Sequence, residues 1–291
     1  MNGDTLSYLC CPRMKTPLRQ ELNKLQTAEG ASYDIQQGIP LLIDLDHLNK
    51  DLQQQVEYFE KERTNRDAVY RLDPWQKRYA DRFLNNFGDF ANKVIIDCGA
   101  GSGYMTVELA RRGAQVIACD LTLKSLIRLK NIVQQHGLQN QVSLVCCSAE
   151  ELPFQTGIAD YFISNAVLEH LPREKEAISE ISRVCKPNAG LLIAVPVNFR
   201  YVNPLLLAVN YIHDKRIGHL RRYNQENLVN KFPRWRLCNA YYSGHSMKVL
   251  KVIANRIVHA FDDEAIEAED EKKQDQKWWS SNIICTFSKN G

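Results

Sequence analysis

The chain has 291 residues, 44% of them hydrophobic, and a formal net charge of +3. This length and apolar content fit one large α/β domain with a small additional unit, or two modest domains, and exclude disorder along the whole chain. The balanced charge argues against a protein whose main ligand is a phosphate backbone. The N-terminus lacks the pattern of a secretion signal, and no apolar run approaches the ~18 residues of a membrane span.

The nine cysteines are odd in number, and several lie inside apolar runs, where cysteine behaves as a small hydrophobic residue. Adjacent Cys146 and Cys147 fit this description and suggest no redox role. We therefore expect a reducing compartment, the cytoplasm.

Residues 1–48 are predicted to form a short unit of their own. It contains Pro12 and Pro17 and ends in a turn at Gly38 that leads into an apolar strand. A unit of this size does not fold easily without a metal or contacts with the main domain. Residues 49–90 follow as a helical cap or linker, because apolar side chains recur there at helical spacing. The two predicted faces consist of Leu52, Val56 and Phe59, and of Trp75, Tyr79, Phe83 and Phe87.

From Val94 to Val197, short apolar runs alternate with amphipathic segments, the pattern of helices that cover a parallel sheet. The fold class is therefore α/β, with a doubly wound sheet whose ligand binds at the carboxyl ends of the strands. The predicted strands are residues 94–97, 115–120, 142–146, 161–164 and 191–195, and the predicted helices are 104–112, 123–136 and 175–184.

Beyond this alternation lie two apolar stretches, residues 201–212 and 247–261, and a last strand at 282–288. The charged residues 262–273 are predicted to form a solvated loop or an exposed helix.

The clearest motif is a glycine loop at residues 97–103, with the sequence DCGAGSG, between the first of these strands and a helix. Such a loop lets its backbone approach a ligand closely. A dinucleotide-binding fingerprint needs a third glycine where Tyr104 stands, and a P-loop needs a Gly-Lys-Ser/Thr that is absent. The loop thus favours neither class.

The acidic-x-Gly-x-Gly-x-Gly pattern resembles that of the S-adenosylmethionine-dependent methyltransferases of class I, in the type 11 and ubiquinone-methyltransferase-like group. Four further segments in the expected order extend the resemblance over residues 90–200. They are Asp120 at the end of the second strand, Ala149–Phe154, the SNAVLEHL segment at 164–171 and the RVCKPNAG segment at 183–190. The resemblance implies a seven-stranded, mostly parallel sheet within residues 91–291, a substrate-side insertion at 198–224, and S-adenosylmethionine as cofactor.

Cofactor-binding residues follow from the matched motifs. An acidic residue at the second strand end suits the two ribose hydroxyls, although Asp120 has an alternative role as a cap of the following helix. The family's usual aspartate beside the adenine is replaced by Ser148. Asp97 and Glu150 have alternative roles as a turn cap and a solvated surface residue. The predicted set is Asp97, Gly99, Ala100, Gly101, Gly103, Asp120, Leu121, Ser148, Ala149, Glu150 and Asn165.

The first unit resembles the zinc-ribbon-like activator module of tRNA and protein methyltransferases. That module uses paired C-x-x-C knuckles, but Met14 stands three residues after Cys11 and no second knuckle exists. We expect a degenerate module without its metal.

Methyl transfer is a direct displacement that needs a base only when the acceptor carries a proton. His219, in the GHLRRY segment at 218–223, is the first candidate base, and His170 is the second, with a packed loop histidine as its alternative. Ubiquinone-type relatives carry a further acidic residue three positions before the Glu-His pair, and that residue helps to hold a divalent ion. Ala166 stands at this position here, so no catalytic metal is predicted.

The predicted acceptor is a small-molecule or lipid- or sugar-linked compound, methylated on oxygen or nitrogen. The apolar stretches, with Trp278 and Trp279, are candidates for an acceptor pocket, a membrane-surface contact, a packed cap or a homodimer interface. RNA methylation is an alternative, motivated by the N-terminal unit and by Lys215, Arg216, Arg221 and Arg222, although the charge makes nucleic acid unlikely. A non-catalytic cofactor-binding scaffold is the second alternative.

Overall fold

One mixed sheet of eleven strands runs through the computed structural model, which describes residues 3–43, 48, 50–63, 70–258 and 261–290. The strands are β1 (Arg19–Glu21), β2 (Lys24–Gln26), β3 (Ser32–Gln36), β4 (Ile39–Leu42), β5 (Val94–Cys98), β6 (Gln115–Asp120), β7 (Val142–Cys147), β8 (Ala159–Asn165), β9 (Cys185–Pro196), β10 (Trp235–Ser243) and β11 (Asn282–Lys289). The helices are α1 (Gly3–Tyr8), α2 (Lys50–Arg63), α3 (Pro74–Phe87), α4 (Tyr104–Ala110), α5 (Leu123–Gln135), α6 (Glu174–Val184), α7 (Leu207–Ile217), α8 (Gln225–Lys231), α9 (Ser246–Val258) and α10 (Asp263–Glu271).

The strand order is β1-β2-β3-β4-β7-β6-β5-β8-β9-β11-β10. Strands β4, β7, β6, β5, β8 and β9 pair in parallel, whereas β11 and β10 on one side and β1 to β3 on the other pair antiparallel. The α/β prediction and the alternation of strands and helices between residues 94 and 197 are confirmed. Seven strands, β5 to β11, lie within residues 91–291 as expected, but the sheet as a whole is not seven-stranded, because four strands from the N-terminal unit extend it to eleven.

The central strands are buried on both faces, which explains why they read as continuous apolar runs. All five residues of β5 are buried, and Ile95 and Ile96 are completely inaccessible to solvent. Helices α4 and α5 contact β6 and β7. This packing fixes the carboxyl ends of β5, β6, β7 and β8 along one edge, where the glycine loop begins.

The N-terminal unit packs on the main domain and shares its core. Strand β4 pairs in parallel with β7, and Leu9, Leu18 and Leu25 belong to the same hydrophobic cluster as Phe154. The backbone amide of Cys10 donates to the carbonyl of Pro153 at 2.9 Å, and the ammonium group of Lys15 lies 2.6 Å from a carboxylate oxygen of Glu180. The N-terminal unit is therefore part of the main sheet and core and is not a separate appendage. Its contacts with the main domain explain how so small a unit can fold.

The thiols of this unit are buried and free. The sulfur of Cys11 accepts a hydrogen bond from the backbone amide of Met14 at 3.5 Å and lies 3.2 Å from the hydroxyl of Tyr33. The likeness of this ribbon to a zinc-binding module stays a prediction. The boundary predicted at residue 49 falls on a residue outside the described ranges, and the helical prediction for the following segment is matched by α2 and α3.

Strand β10 escaped the sequence analysis because it lies at the sheet edge and pairs only with β11. Its exposed positions carry polar residues such as Arg236 and Asn239, so no continuous apolar run marks it. Among the described residues, no helix is long and apolar enough to cross a membrane.

Helix α10 is less exposed than its charge predicts, because Ile266, Glu267 and Asp270 are buried on one face. The carboxylate of Asp270 accepts hydrogen bonds from the backbone amides of Gly244 and His245 at 3.0 and 2.9 Å, and lies 2.8 Å from Nδ1 of His245. Burial alone would raise the pKa of this carboxyl, but the hydrogen bond from His245 and the charge of Lys248 outweigh burial and bring the pKa to about 2.

Because the pKa of folded Asp270 lies below its ordinary value of 3.8, the ionised carboxyl stabilises the fold above about pH 4, and this contribution disappears as the pH falls through 2. We expect Asp270→Asn to lower the free energy of unfolding by about 2 kcal/mol at pH 7. Denaturant melts at pH 7 and near pH 3 measure the difference, which shrinks in acid. Glu264→Gln, an exposed change on the same helix, is the control and leaves stability unchanged. A loss that is equal at both pH values contradicts this account.

Candidate active site

The glycine loop after β5 is packed tightly against two neighbouring strands. The backbone amides of Gly99 and Ala100 both donate to the carbonyl of Cys119 on β6, at 2.8 and 3.0 Å. Gly99 has φ +72°, and a Cβ atom there would overlap the Cγ2 methyl of Val167 in the turn after β8. A side chain is therefore excluded both by backbone conformation and by this contact.

Asp120, at the end of β6, holds the loop in place. One carboxylate oxygen accepts from the backbone amide of Gly101 at 3.0 Å, and the other accepts from the amide and the hydroxyl of Thr122 at 2.9 and 2.7 Å. The aspartate thus makes the helix-entry contacts of the capping alternative and also lines the cavity described below. The two sequence interpretations of Asp120 are compatible.

A cavity of about 870 Å³ opens at the carboxyl ends of the strands, within the size range of small-molecule sites. Most of the predicted cofactor residues line it. These are Gly99, Ala100, Gly101, Asp120, Leu121, Ser148, Ala149 and Asn165, and both candidate bases, His170 and His219, line it as well.

Three predicted cofactor residues lie behind this lining. Asp97 is buried and accepts a hydrogen bond from the hydroxyl of Thr106 at 2.6 Å, while burial raises its pKa to about 6. Gly103, at φ +80°, packs against Leu129. Glu150 is buried rather than solvated and pairs with Arg173 at 3.0 Å. These positions support the loop and the turn after β7 instead of facing the cavity.

Two helices of the predicted cap close one side of the cavity. On α2, the Gln55 amide donates to the backbone carbonyl of His170 at 2.6 Å, and the Phe59 ring meets the His170 ring edge-on at 5.7 Å. On α3, Trp75 packs edge-on against Tyr104 with ring centroids 5.7 Å apart.

Helices α7 and α9 also contribute to the lining of the cavity. Their apolar side chains, called here the apolar wall, are Val209, Ile217, Val249, Val252 and Ile253, and their polar ones are Asn210, His213 and Lys248.

His170 and His219 come from distant segments and meet at one end of the cavity. A short 3-10 helix, Leu168–His170, follows the turn after β8, and the backbone amide of Leu220 donates to the carbonyl of Glu169 at 2.8 Å. The guanidinium group of Arg221 donates to the carbonyls of Leu168 and Leu171. The centroids of the two imidazole rings are consequently 4.7 Å apart.

An aspartate orients His219. Nδ1 of His219 lies 2.8 Å from a carboxylate oxygen of Asp214 on α7, and Arg222 makes a two-pronged ion pair with the same carboxylate at 2.6 and 2.8 Å. Burial raises the pKa of Asp214, but the hydrogen bonds from His219 and Arg222 outweigh burial and bring it to about 2. The ionised aspartate holds the proton on Nδ1, which leaves Nε2 of His219 as the acceptor nitrogen.

Nε2 of His219 faces Glu169, whose nearer oxygen is 3.6 Å away, too far for a hydrogen bond. Glu169 is 1% exposed, and neither of its oxygens has a hydrogen-bond partner. Burial raises the pKa of this carboxyl to about 8; the backbone amide of Glu169 lowers the pKa only in part and does not make a well-formed hydrogen bond. Burial lowers the pKa of His170 to about 4, so this imidazole is neutral at pH 7.

Sequence reasoning missed Glu169 and Asp214 as site residues. Glu169 directly precedes the predicted His170, and this adjacency could have identified it. Asp214 could not be found in this way, because its contacts with His219 and Arg222 form only when the segment after α7 packs against that helix. The sequence places Arg221 and Arg222 in the basic cluster that motivates the RNA alternative, but their contacts are internal. Arg222 is bound to Asp214, with its side chain only 7% exposed, and Arg221 faces backbone carbonyls.

Comparison with known proteins agrees with this geometry. Residues 96–193 match the family model described as a methyltransferase domain. Residues 96–193 are therefore part of a methyltransferase domain of the S-adenosylmethionine-dependent kind.

Among curated proteins, it is 32% identical over 115 residues to the ubiquinone biosynthesis O-methyltransferase of Chromobacterium violaceum, which covers 38% of this chain and 48% of that protein. It is 29% identical over 119 residues to the tRNA 5-carboxymethoxyuridine methyltransferase of Escherichia coli K12, covering 40% and 44%. The chain spans about half the length, or less, of the curated relatives that it matches.

Among solved structures, geranyl diphosphate C-methyltransferase from Streptomyces coelicolor, in complex with Mg²⁺, geranyl diphosphate and S-adenosyl-L-homocysteine, aligns with a TM-score of 0.62. The identity is 13%, and the alignment covers 83% of this chain and 98% of that one. At this identity the likeness establishes the fold.

The contact between Gly99 and Val167 gives a direct test of the loop. We expect Gly99→Ala to weaken S-adenosylmethionine binding by at least ~10-fold, because the added methyl group must displace the turn after β8 or the loop itself. Gly137→Ala is the control, since Gly137 has a similar φ of +67° but open space around its Cα. Calorimetry measures the affinity for S-adenosylmethionine. Thermal melting measures the loss of stability that both variants share, because alanine is strained at a positive φ. Equal affinity in the two variants argues against the contact.

Proposed function

We propose that this protein transfers the methyl group of S-adenosylmethionine to an oxygen or nitrogen atom of a small or lipid-linked, partly apolar acceptor. The supporting observation is a single cavity that joins the glycine loop to the pair His170 and His219 and has an apolar wall from α7 and α9. Val167 contacts the glycine loop only two residues before Glu169. The polar end of the cavity therefore lies beside the cofactor end.

In the proposed reaction, the acceptor atom attacks the methyl carbon in line with the sulfonium sulfur. The carbon–sulfur bond breaks and sulfur keeps the electron pair, so the protein's task is alignment and exclusion of water. His219 accepts the acceptor's proton on Nε2, and the imidazolium that forms is stabilised through Nδ1 by Asp214. His170, the second candidate, has a pKa of about 4 and is a much weaker base at neutral pH.

The apolar wall supports an acceptor with a hydrocarbon portion. Several hydrophobic residues of α7 and α9, of the turn before α7 and of the loop between α10 and β11 are also exposed at the surface. They include Leu205, Ile212, Leu250, Trp278 and Trp279. Contact with a membrane surface and formation of a homodimer both remain predictions for this surface.

One relative is named as a tRNA methyltransferase, which supports RNA methylation as an alternative. However, two of the four residues of the basic cluster are not available to RNA, because Arg222 pairs with Asp214 and Arg221 donates to backbone carbonyls. The scaffold alternative predicts cofactor binding without transfer. Incubation with labelled S-adenosylmethionine and cell extract, followed by separation of lipid, small-molecule, nucleic acid and protein pools, discriminates between these functions. Label in the lipid or small-molecule pool supports the proposal, whereas label in RNA only, or in no pool, contradicts it.

His219→Gln tests the proton acceptor. We expect the rate of transfer in the same assay to fall by ~10²–10⁴-fold, with unchanged affinity for S-adenosylmethionine. His213→Gln is the matched control, because His213 lines the same cavity without contacting Asp214 through a hydrogen bond. A transfer rate in His219→Gln equal to that of the control removes His219 from the mechanism.

Ile253→Asp tests the apolar wall. A carboxylate at this position is costly to bury beside a hydrocarbon chain, so we expect KM for the acceptor to rise at least ~10-fold with little change in cofactor affinity. Leu250→Asp, on the same helix but outside the cavity lining, is the control. If both variants keep the wild-type KM, the acceptor does not lie against α9.

A further inference from the structure

Among the described residues, one group of three side chains has the donor set of a metal site. One ligand atom each from Glu169, His170 and His219 lies within 4.8 Å of the others. The residues come from two separate segments, the turn after β8 and the segment that follows α7. The arrangement is thus produced by the fold and not by adjacency in sequence alone.

The unpartnered atoms of this cluster are the second observation. Both carboxylate oxygens of Glu169 and Nδ1 of His170 are buried and have no hydrogen-bond partner, although Glu169 and His170 are only 1% and 5% exposed. Leaving a buried donor or acceptor unpaired costs on the order of 1–3 kcal/mol for each group. These unpartnered atoms belong to two of the three residues whose ligand atoms lie within 4.8 Å of one another, so a bound group would satisfy them.

Both imidazoles are already oriented as metal ligands are. Ligating histidines usually donate their other ring N–H to a carboxylate or a backbone carbonyl. Nδ1 of His219 meets Asp214, and His170 makes its ring hydrogen bond to the backbone of Gly218. These bonds leave Nε2 of His219 and Nδ1 of His170 with free lone pairs.

We propose that Glu169, His170 and His219 bind one divalent transition-metal cation at the acceptor end of the cavity. Two imidazoles and one carboxylate suit zinc or iron(II), with the remaining coordination positions open toward the cavity. The sequence predicted no metal because Ala166 replaces an acidic residue of the ubiquinone-type relatives. Here the third ligand is His219, from a different part of the chain.

Cation binding does not depend on the proposed function, but its consequence for the acceptor does. Nε2 of His219 cannot hold a cation and accept a proton at the same time. In the cation-bound protein, the cation would lower the pKa of the acceptor's hydroxyl or amine, and the proton would leave to solvent water, so His219 would hold the cation instead of accepting the proton.

The test is titration of chelator-treated, full-length protein with Zn²⁺ and Co²⁺. Calorimetry measures the stoichiometry and affinity, and the visible spectrum of bound Co²⁺ reports nitrogen and oxygen coordination. A Cys238→Ser background removes the exposed thiol from competition. We expect one ion per chain, and Glu169→Gln, His170→Ala and His219→Ala each abolish saturable binding. Asp214→Asn, which removes only the orienting partner, weakens binding by ~10–100-fold.

His213→Ala is the matched control and keeps full affinity, because His213 lines the cavity outside the cluster. Absence of saturable binding, or equal binding in the wild type and in both Glu169→Gln and His219→Ala, overturns the proposal. Melting temperature and S-adenosylmethionine affinity, measured on every variant, verify that the fold and the cofactor end are intact. Loss of cofactor binding in the wild type with retained cation binding contradicts the proposed function and leaves this inference standing.

Discussion

The contact between the backbone of Gly99 and the side chain of Val167 is the constraint on which the site depends. It joins the loop after β5 to the turn after β8, while the amides of Gly99 and Ala100 tie the same loop to β6. Three strand ends are thereby fixed relative to one another within a few ångströms. This junction fixes the position of the cofactor end of the cavity relative to the acceptor end, because Glu169 and His170 lie two and three residues after Val167.

The parts of the fold that the sequence predicted are those in which local pattern and tertiary environment agree. All five residues of β5 and residues 189–196 of β9 are buried, so these stretches are almost entirely apolar. The glycine loop is equally readable, since positive φ values and close packing leave glycine as the only suitable residue. Sequence reasoning therefore found the fold class, and most of the residues that it assigned to the cofactor line the cavity.

The remaining features depend on contacts between segments far apart in the chain. Asp214 becomes an orienting group only because α7 returns beside the turn after β8, and the charged helix α10 has a buried face only because Asp270 meets the amides of Gly244 and His245. Strand β10 could not be predicted for a related reason. An edge strand with one solvated face carries no continuous apolar signal.

The pairing of β4 with β7 has a consequence for the order in which this protein acquires its structure. Strand β7 lies within the sheet only because the N-terminal unit covers its outer side. The N-terminal strands are synthesised first, but their partner emerges much later, so the ribbon waits for the main domain instead of folding ahead of it. Until the two meet, β7 presents unpaired backbone groups, the kind of open edge that recruits strands from other molecules. Because the N-terminal unit is synthesised before β7, it is available to cover this edge as soon as β7 forms.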